Sequence, residues 1–93
     1  MLGGGKDSAA AHELVSAGAA LVDVRTPGEF ASGHIDGARN IPVDQIAARS
    51  KEIDKTQPVV VYCRSGARSA AAANTLRGLG FSQVEDLGAM SNW

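Results

Sequence analysis

Residues 58–79 read PVVVYCRSGARSAAAANTLRGL, and the change of pattern inside this stretch decides the fold. Val59, Val60, Val61 and Tyr62 follow one another without a polar break, the signature of a strand buried on both faces. Pro58 cannot donate to a sheet ladder, so it is tolerable only at the strand's entrance. From Ser69 to Leu79 the period changes. Ala72, Ala73, Leu76 and Leu79 share one helical face while Asn74 and Arg77 point away, and the run of alanines predicts a helix that packs closely on its neighbour. A central strand running straight into such a helix is half of a parallel β–α–β unit.

The flanks repeat the alternation. Upstream, AAAHELVSAG predicts a helix capped by Asp7 or Ser8 and stopped at Gly18, with Leu14 and Val15 as its apolar anchors. Ala20 to Val24 (ALVDV) is a second short buried strand. TPGE follows, with Thr26 as cap, Pro27 at the first helical position and Glu29 completing a capping box, which predicts one helical turn through Phe30. SGHIDGARNIPV reads as a turn and a short strand near Ala38 to Ile41 that stops at Pro42. A polar helix is expected over Asp44 to Ile53, and a last strand near Val84 to Leu87 after the helix-ending Gly80, with a loop to Trp93. Together these predict a small α/β domain: a mostly parallel central sheet of about four or five strands with helices on both faces. Residues 1–7 (MLGGGKD) read as a flexible lead-in, and residues 8–93 as a single domain.

Composition narrows the partners. Nine Lys and Arg face ten Asp and Glu, a formal net charge of −1. No basic face suits nucleic acid, and no apolar run suits a bilayer span. The first residues lack the apolar core of a secretory signal, so the compartment stays open: cytoplasmic or, after removal of a leader, periplasmic. One cysteine allows no internal disulfide. Without a long apolar surface stripe, a monomer is the default.

The lone cysteine sits at the end of the central strand, where parallel sheets bind their ligands. On VVVYC alone, Cys63 reads as a small buried hydrophobe. The residues that follow reverse this. Gly66 permits a positive φ, the backbone N–H groups of the loop can converge on the thiol, and the helix behind adds the positive end of its dipole. Arg64 and Arg68 add positive charge. All favour thiolate over thiol, so the loop suits an anion, either the sulfur itself or an anionic substrate. Four residues separate Cys63 from Arg68, one fewer than in the signature of cysteine-dependent phosphatases. The tighter ring fits a sulfur atom on cysteine better than a whole phosphate. Small side chains at Ser65, Gly66 and Ala67 predict an open, shallow site.

LVDVRTPGEFASGHIDGARNIP (residues 21–42), YCRSGARS (62–69) and the closing set Leu76, Gly80, Phe81, Val84, Leu87, Gly88 and Trp93 resemble, in order and spacing, the single-domain rhodaneses, thiosulfate or persulfide sulfurtransferases. The resemblance implies that Cys63 is the catalytic nucleophile, which takes a sulfane sulfur as a persulfide and passes it on in a ping-pong cycle. It implies a cradle built from the loop of Arg64, Ser65, Gly66, Ala67, Arg68 and Ser69, with Arg68 and Arg64 holding a small anionic donor such as thiosulfate. The acceptor would be a thiol or cyanide-like nucleophile, including a partner protein's cysteine. No cofactor and no metal are required. One departure is Ala89, where the family commonly has a second glycine after Gly88. Two other readings stand beside this one: a binding or regulatory module using the fold without turnover, and phosphatase or arsenate-reductase chemistry at the same cysteine.

Of the other residues, His34 is expected to brace a turn through Asp23, Glu29 or a backbone carbonyl, and His12 to lie on a helix surface. Asp23 and Arg25, two apart at a strand end and pointing to the same side, are expected to pair with neighbouring loops, a structural ion pair standing ahead of a contribution by Arg25 to the positive field near the site, and Glu29 is expected to serve the cap.

Overall fold

The computed structural model describes residues 8–93; the expected lead-in over residues 1–7 lies outside them. Helix α1 spans Ser8–Ser16, strand β1 Ala20–Asp23, helix α2 Pro27–Ala31, β2 Arg39–Asn40, β3 Val59–Cys63, helix α3 Ala67–Gly78 and β4 Val84–Ala89. The four strands form one parallel sheet in the order β2-β1-β3-β4, so the valine strand is central as its sequence predicts. Every residue of β3 is buried.

The two-residue period of a strand divides the core. Val59, Val61 and Cys63 face one side, where Ala72, Ala73 and Leu76 of α3 pack with Ile46, Ile53 and Phe81. Val60 and Tyr62 face the other, with Leu21, Leu87, Ile35, Ala11 of α1 and the ring of Trp93. Alanine on α3 lets the helix lie close to the sheet, which brings its first turn down onto Cys63. Leu79 departs from expectation: it is 39% exposed, because α3 ends at Gly78 and turns away from the sheet before Leu79 can pack.

The expected helix over residues 44–53 does not form. The chain makes two short 3-10 turns, Val43–Gln45 and Ser50–Glu52. The Gln45, Ile46, Glu52 and Ile53 N–H groups bond three residues back, whereas Arg49 N bonds Gln45 O at 2.9 Å. Arg49, at φ −107° and ψ 12°, breaks the path between the turns. Ile46 and Ile53 are both buried, so the apolar spacing of a helix is satisfied by a looser route.

The sheet irregularity matters to the site. β3 and β4 stay in register from Val59↔Val84 to Val61↔Asp86, then resume at Tyr62↔Gly88, leaving Leu87 as the extra residue. Gly88 has φ 83°, which favours glycine, while Ala89 is extended at φ −73°, so the chain needs only one glycine here.

Tyr62 ties the sheet to the β1–β2 connection. Its hydroxyl accepts from Ile35 N at 3.1 Å, and burial is the main force pushing its pKa up to about 12. Tyr62→Phe strands this buried N–H and is expected to reduce stability by about 1–3 kcal/mol, read by urea denaturation. A variant as stable as the parent would mean that Ile35 N finds another partner.

Candidate active site

The C-terminal ends of the four parallel strands bring Asp23, Asn40, Cys63 and Ala89 to one edge of the sheet. Cys63 is the last residue of β3 and Gly66 caps α3, so Arg64, Ser65 and Gly66 are the whole connection between strand and helix. Gly66 sits at φ 110°, and no side chain caps the helix. That conformation aims Gly66 N at the Cys63 sulfur, 2.9 Å away. A β-carbon at Gly66 would lie 4.0 Å from Gly88 Cα, so the requirement for glycine comes from φ and not from crowding.

Burial pushes the Cys63 thiol up, but hydrogen bonding to the Ser69 hydroxyl and to the N–H groups of Ser69, Gly66 and Ser65 outweighs it, and the pKa is lowered. Ser69 is fully buried in the first turn of α3, and its hydroxyl lies 3.0 Å from Gly66 O as well. One hydroxyl proton therefore has two acceptors, the carbonyl and the sulfur. Because the pKa is depressed, the thiolate exists above it and is lost as pH falls through it. Reaction at Cys63 is therefore expected to decline as pH falls, with a midpoint below that of an ordinary thiol. Ser69→Ala should move that decline to higher pH, slowing alkylation of Cys63 more in acid than in alkaline buffer. An unchanged profile would remove Ser69 from the site.

The site is closed where the sequence predicts it open. Cys63 has no accessible surface, because its side chain points beneath the first turn of α3 and the N–H groups close around it. A surface depression of about 460 Å³ lined by His34, Ile35, Asp36, Met90 and Trp93 contains none of the loop residues.

The two arginines differ. Arg64 is exposed, and among the described residues its side chain has no partner. Arg68 makes a two-pronged ion pair with Glu29, Nη1 to Oε1 at 2.7 Å and Nη2 to Oε2 at 3.1 Å, with the side chains 34% and 27% exposed. Sequence reading finds Glu29 as a cap and misses this partner. The capping box does form: Glu29 N donates to Thr26 Oγ1 at 3.2 Å, and Thr26 N donates to Glu29 Oε1 at 3.0 Å. The guanidinium of Arg68 is the largest influence holding the Glu29 carboxyl down, to a pKa of about 2. Arg68 lies in the first turn of α3 next to Ser69, whose hydroxyl and N–H bond the Cys63 sulfur, so the pair stands at the edge of the loop that holds it.

Asp23 and Arg25 are buried and paired with one another. Arg25 Nε lies 3.0 and 3.1 Å from the two carboxylate oxygens, and Nη2 lies 2.7 Å from Oδ2. Arg25 Nη2 also donates to Gly33 O at 2.7 Å, and its guanidinium lies 5.7 Å from the centre of the Tyr62 ring. His34 meets the expected backbone carbonyl, Phe30 O at 2.8 Å from Nδ1, and stacks on the Phe30 ring. His12 lies on the surface, stacked on Trp93. Among the described residues no group of three or more His, Cys, Asp or Glu could hold a metal ion, and no helix is long and apolar enough to cross a membrane.

Comparison with known proteins agrees with this architecture. A protein of Allochromatium vinosum named sulfurtransferase is 48% identical over 72% of this chain and 63% of its own length. The thiosulfate sulfurtransferase GlpE of Stutzerimonas stutzeri is 39% identical over 83% of this chain and 71% of its own. The structure titled human single domain sulfurtransferase TSTD1 superposes with a TM-score of 0.80 at 27% identity, covering 98% of this chain and 96% of that one. The chain spans about three fifths of the length of the first curated relatives it matches. With residues 7–93 also matching the model of the rhodanese-like domain, the chain belongs to the rhodanese-like family.

Proposed function

We propose that this chain is a sulfurtransferase in which Cys63 carries the sulfur. The observation that carries the reading is the depressed thiol at the β3–α3 junction, with Gly66 N 2.9 Å from its sulfur. In the first half-reaction the Cys63 thiolate attacks the outer sulfur of a donor such as thiosulfate. The donor's S–S bond breaks, its electron pair leaves with sulfite, and Cys63 becomes a persulfide anion. In the second, a thiolate or cyanide-like acceptor attacks the outer sulfur, and the Cys63 thiolate is regenerated. The negative charge stays on sulfur throughout, so N–H groups already aimed at it need little rearrangement. The loop from Arg64 through Ser65, Gly66, Ala67 and Arg68 to Ser69 forms the cradle, and Arg64 supplies positive field to the entering donor while the guanidinium of Arg68 is paired with Glu29.

Names of relatives such as GlpE support thiosulfate as a donor and leave the acceptor open. Intact mass after incubation with thiosulfate, with and without a thiol reductant, tests the proposal. A gain of one sulfur atom that the reductant removes is expected. If thiosulfate and an organic persulfide both leave the mass unchanged, the transfer reading fails and a binding module takes its place. Hydrolysis of phosphate esters without sulfur loading would instead favour the phosphatase reading.

A further inference from the structure

We propose that Glu29 is a specificity-determining residue that biases Cys63 toward donors of lower negative charge than thiosulfate, such as organic thiosulfonates and persulfides. The inference rests on the sulfur-transfer reading and concerns which donor that site prefers. Thiosulfate brings two negative charges to a thiolate that bears one, so its approach depends on cations near the loop. Arg68 is neutralised: its guanidinium is held by both oxygens of Glu29, and Glu29 is fixed from behind by the Thr26 cap. Arg25 is neutralised as well, by Asp23 in the buried pair. Arg64 is left as the uncompensated side-chain cation of the loop. One cation against a dianion and a thiolate leaves excess negative charge in the encounter; with a monoanionic donor that excess is one charge smaller.

Methanethiosulfonate provides the matched probe. A methyl group replaces one oxygen of thiosulfate, so the donor is a monoanion whose S–S bond breaks to release methanesulfinate, and the product on the protein is the same Cys63 persulfide. Loading rates from both donors are read by intact mass over a range of concentrations, for the parent and for Glu29→Gln. Glutamine keeps the capping box but leaves the charge of Arg68 uncompensated. The field acts in proportion to donor charge, so a gain of about tenfold for the dianion corresponds to about threefold for the monoanion, and the preference for thiosulfate should rise about threefold. The gain should fall on half-saturation, with the limiting rate little changed. A preference that stays level or drops in Glu29→Gln overturns the proposal, because Glu29 would then serve only to orient Arg68 for the donor. Arg64→Gln, at an exposed position, provides a second arm: thiosulfate loading should fall more than methanethiosulfonate loading, and equal losses count against the proposal. If neither donor loads the parent protein, the sulfur-transfer reading and this inference both fall; if both donors load it and the preference is unmoved, only this inference falls.

Discussion

Cys63→Ser is expected to lower sulfur transfer by at least about a thousandfold and to abolish the reductant-sensitive gain of mass. A serine hydroxyl stays protonated at neutral pH, and no base stands beside it. His34, the obvious candidate, is committed to Phe30 O and stacked on Phe30. The hydrogen bonds that depress the thiol would still be present, but with no anion to stabilise. The fold should survive, because the smaller hydroxyl enters the same pocket and can accept from Gly66 N in place of the sulfur. A loss of about 1 kcal/mol in stability is expected, so loss of activity would not reflect unfolding. Loading that persists in Cys63→Ser would place the sulfur elsewhere, and since Cys63 is the only cysteine, that result would end the proposed mechanism.

What the sequence makes legible is what local chemistry specifies. Three valines and a tyrosine can only be a buried strand here, and Gly66 before an alanine-rich run marks a strand-to-helix turn with a positive φ. The Thr26–Glu29 capping box is readable because its partners are three residues apart. The Glu29–Arg68 pair is not, since the two lie 39 residues apart and meet only after β1 and β3 pair. Spacing carries no signal for it, although two unassigned arginines and a carboxylate at a strand end invite the question. The helix expected over 44–53 fails for a related reason. Ile46 and Ile53 have helical spacing, but Val43 N is drawn to Val24 O at 3.0 Å and Arg39 Nη1 to Glu52 O at 2.6 Å. These tertiary bonds fix both ends of the segment, and local propensity yields to them. Closure of the site is equally non-local. Small side chains in the loop predict access, whereas the depth of the sulfur is set by how closely α3 settles on the sheet.

Asp23→Ala is expected to produce the largest loss of stability, about 3–5 kcal/mol, because it leaves the Arg25 guanidinium buried without its counter-ion. Asp23 has no exposed surface and the Arg25 side chain is 8% exposed, so water cannot replace the carboxylate. The same carboxylate accepts from Arg25 N at 2.9 Å, and Asn40 Nδ2 donates to the carbonyls of both Asp23 and Arg25 at 2.9 Å. Removing it unties the ends of β1 and β2 together. For a domain of this size the melting temperature should fall on the order of 20 °C. Asp23→Leu combined with Arg25→Met removes both charges and is expected to lose less than the single change, because no charge is left stranded. A single variant within about 1 kcal/mol of the parent would show that Arg25 swings out to solvent, and the pair would then be a minor contributor. The site supplies a second readout. The chain leaving β1 runs through Thr26 into α2 and carries Glu29 to Arg68. Loosening that strand end should therefore weaken the grip on Arg68, and Asp23→Ala measured well below its melting temperature should shift donor preference toward thiosulfate, as Glu29→Gln does. Asp23→Ala also frees the charge of Arg25, which acts in the same direction, so loss of stability with donor preference intact would mean both that α2 holds Glu29 in place without help from the buried pair and that Arg25 lies beyond reach of the donor.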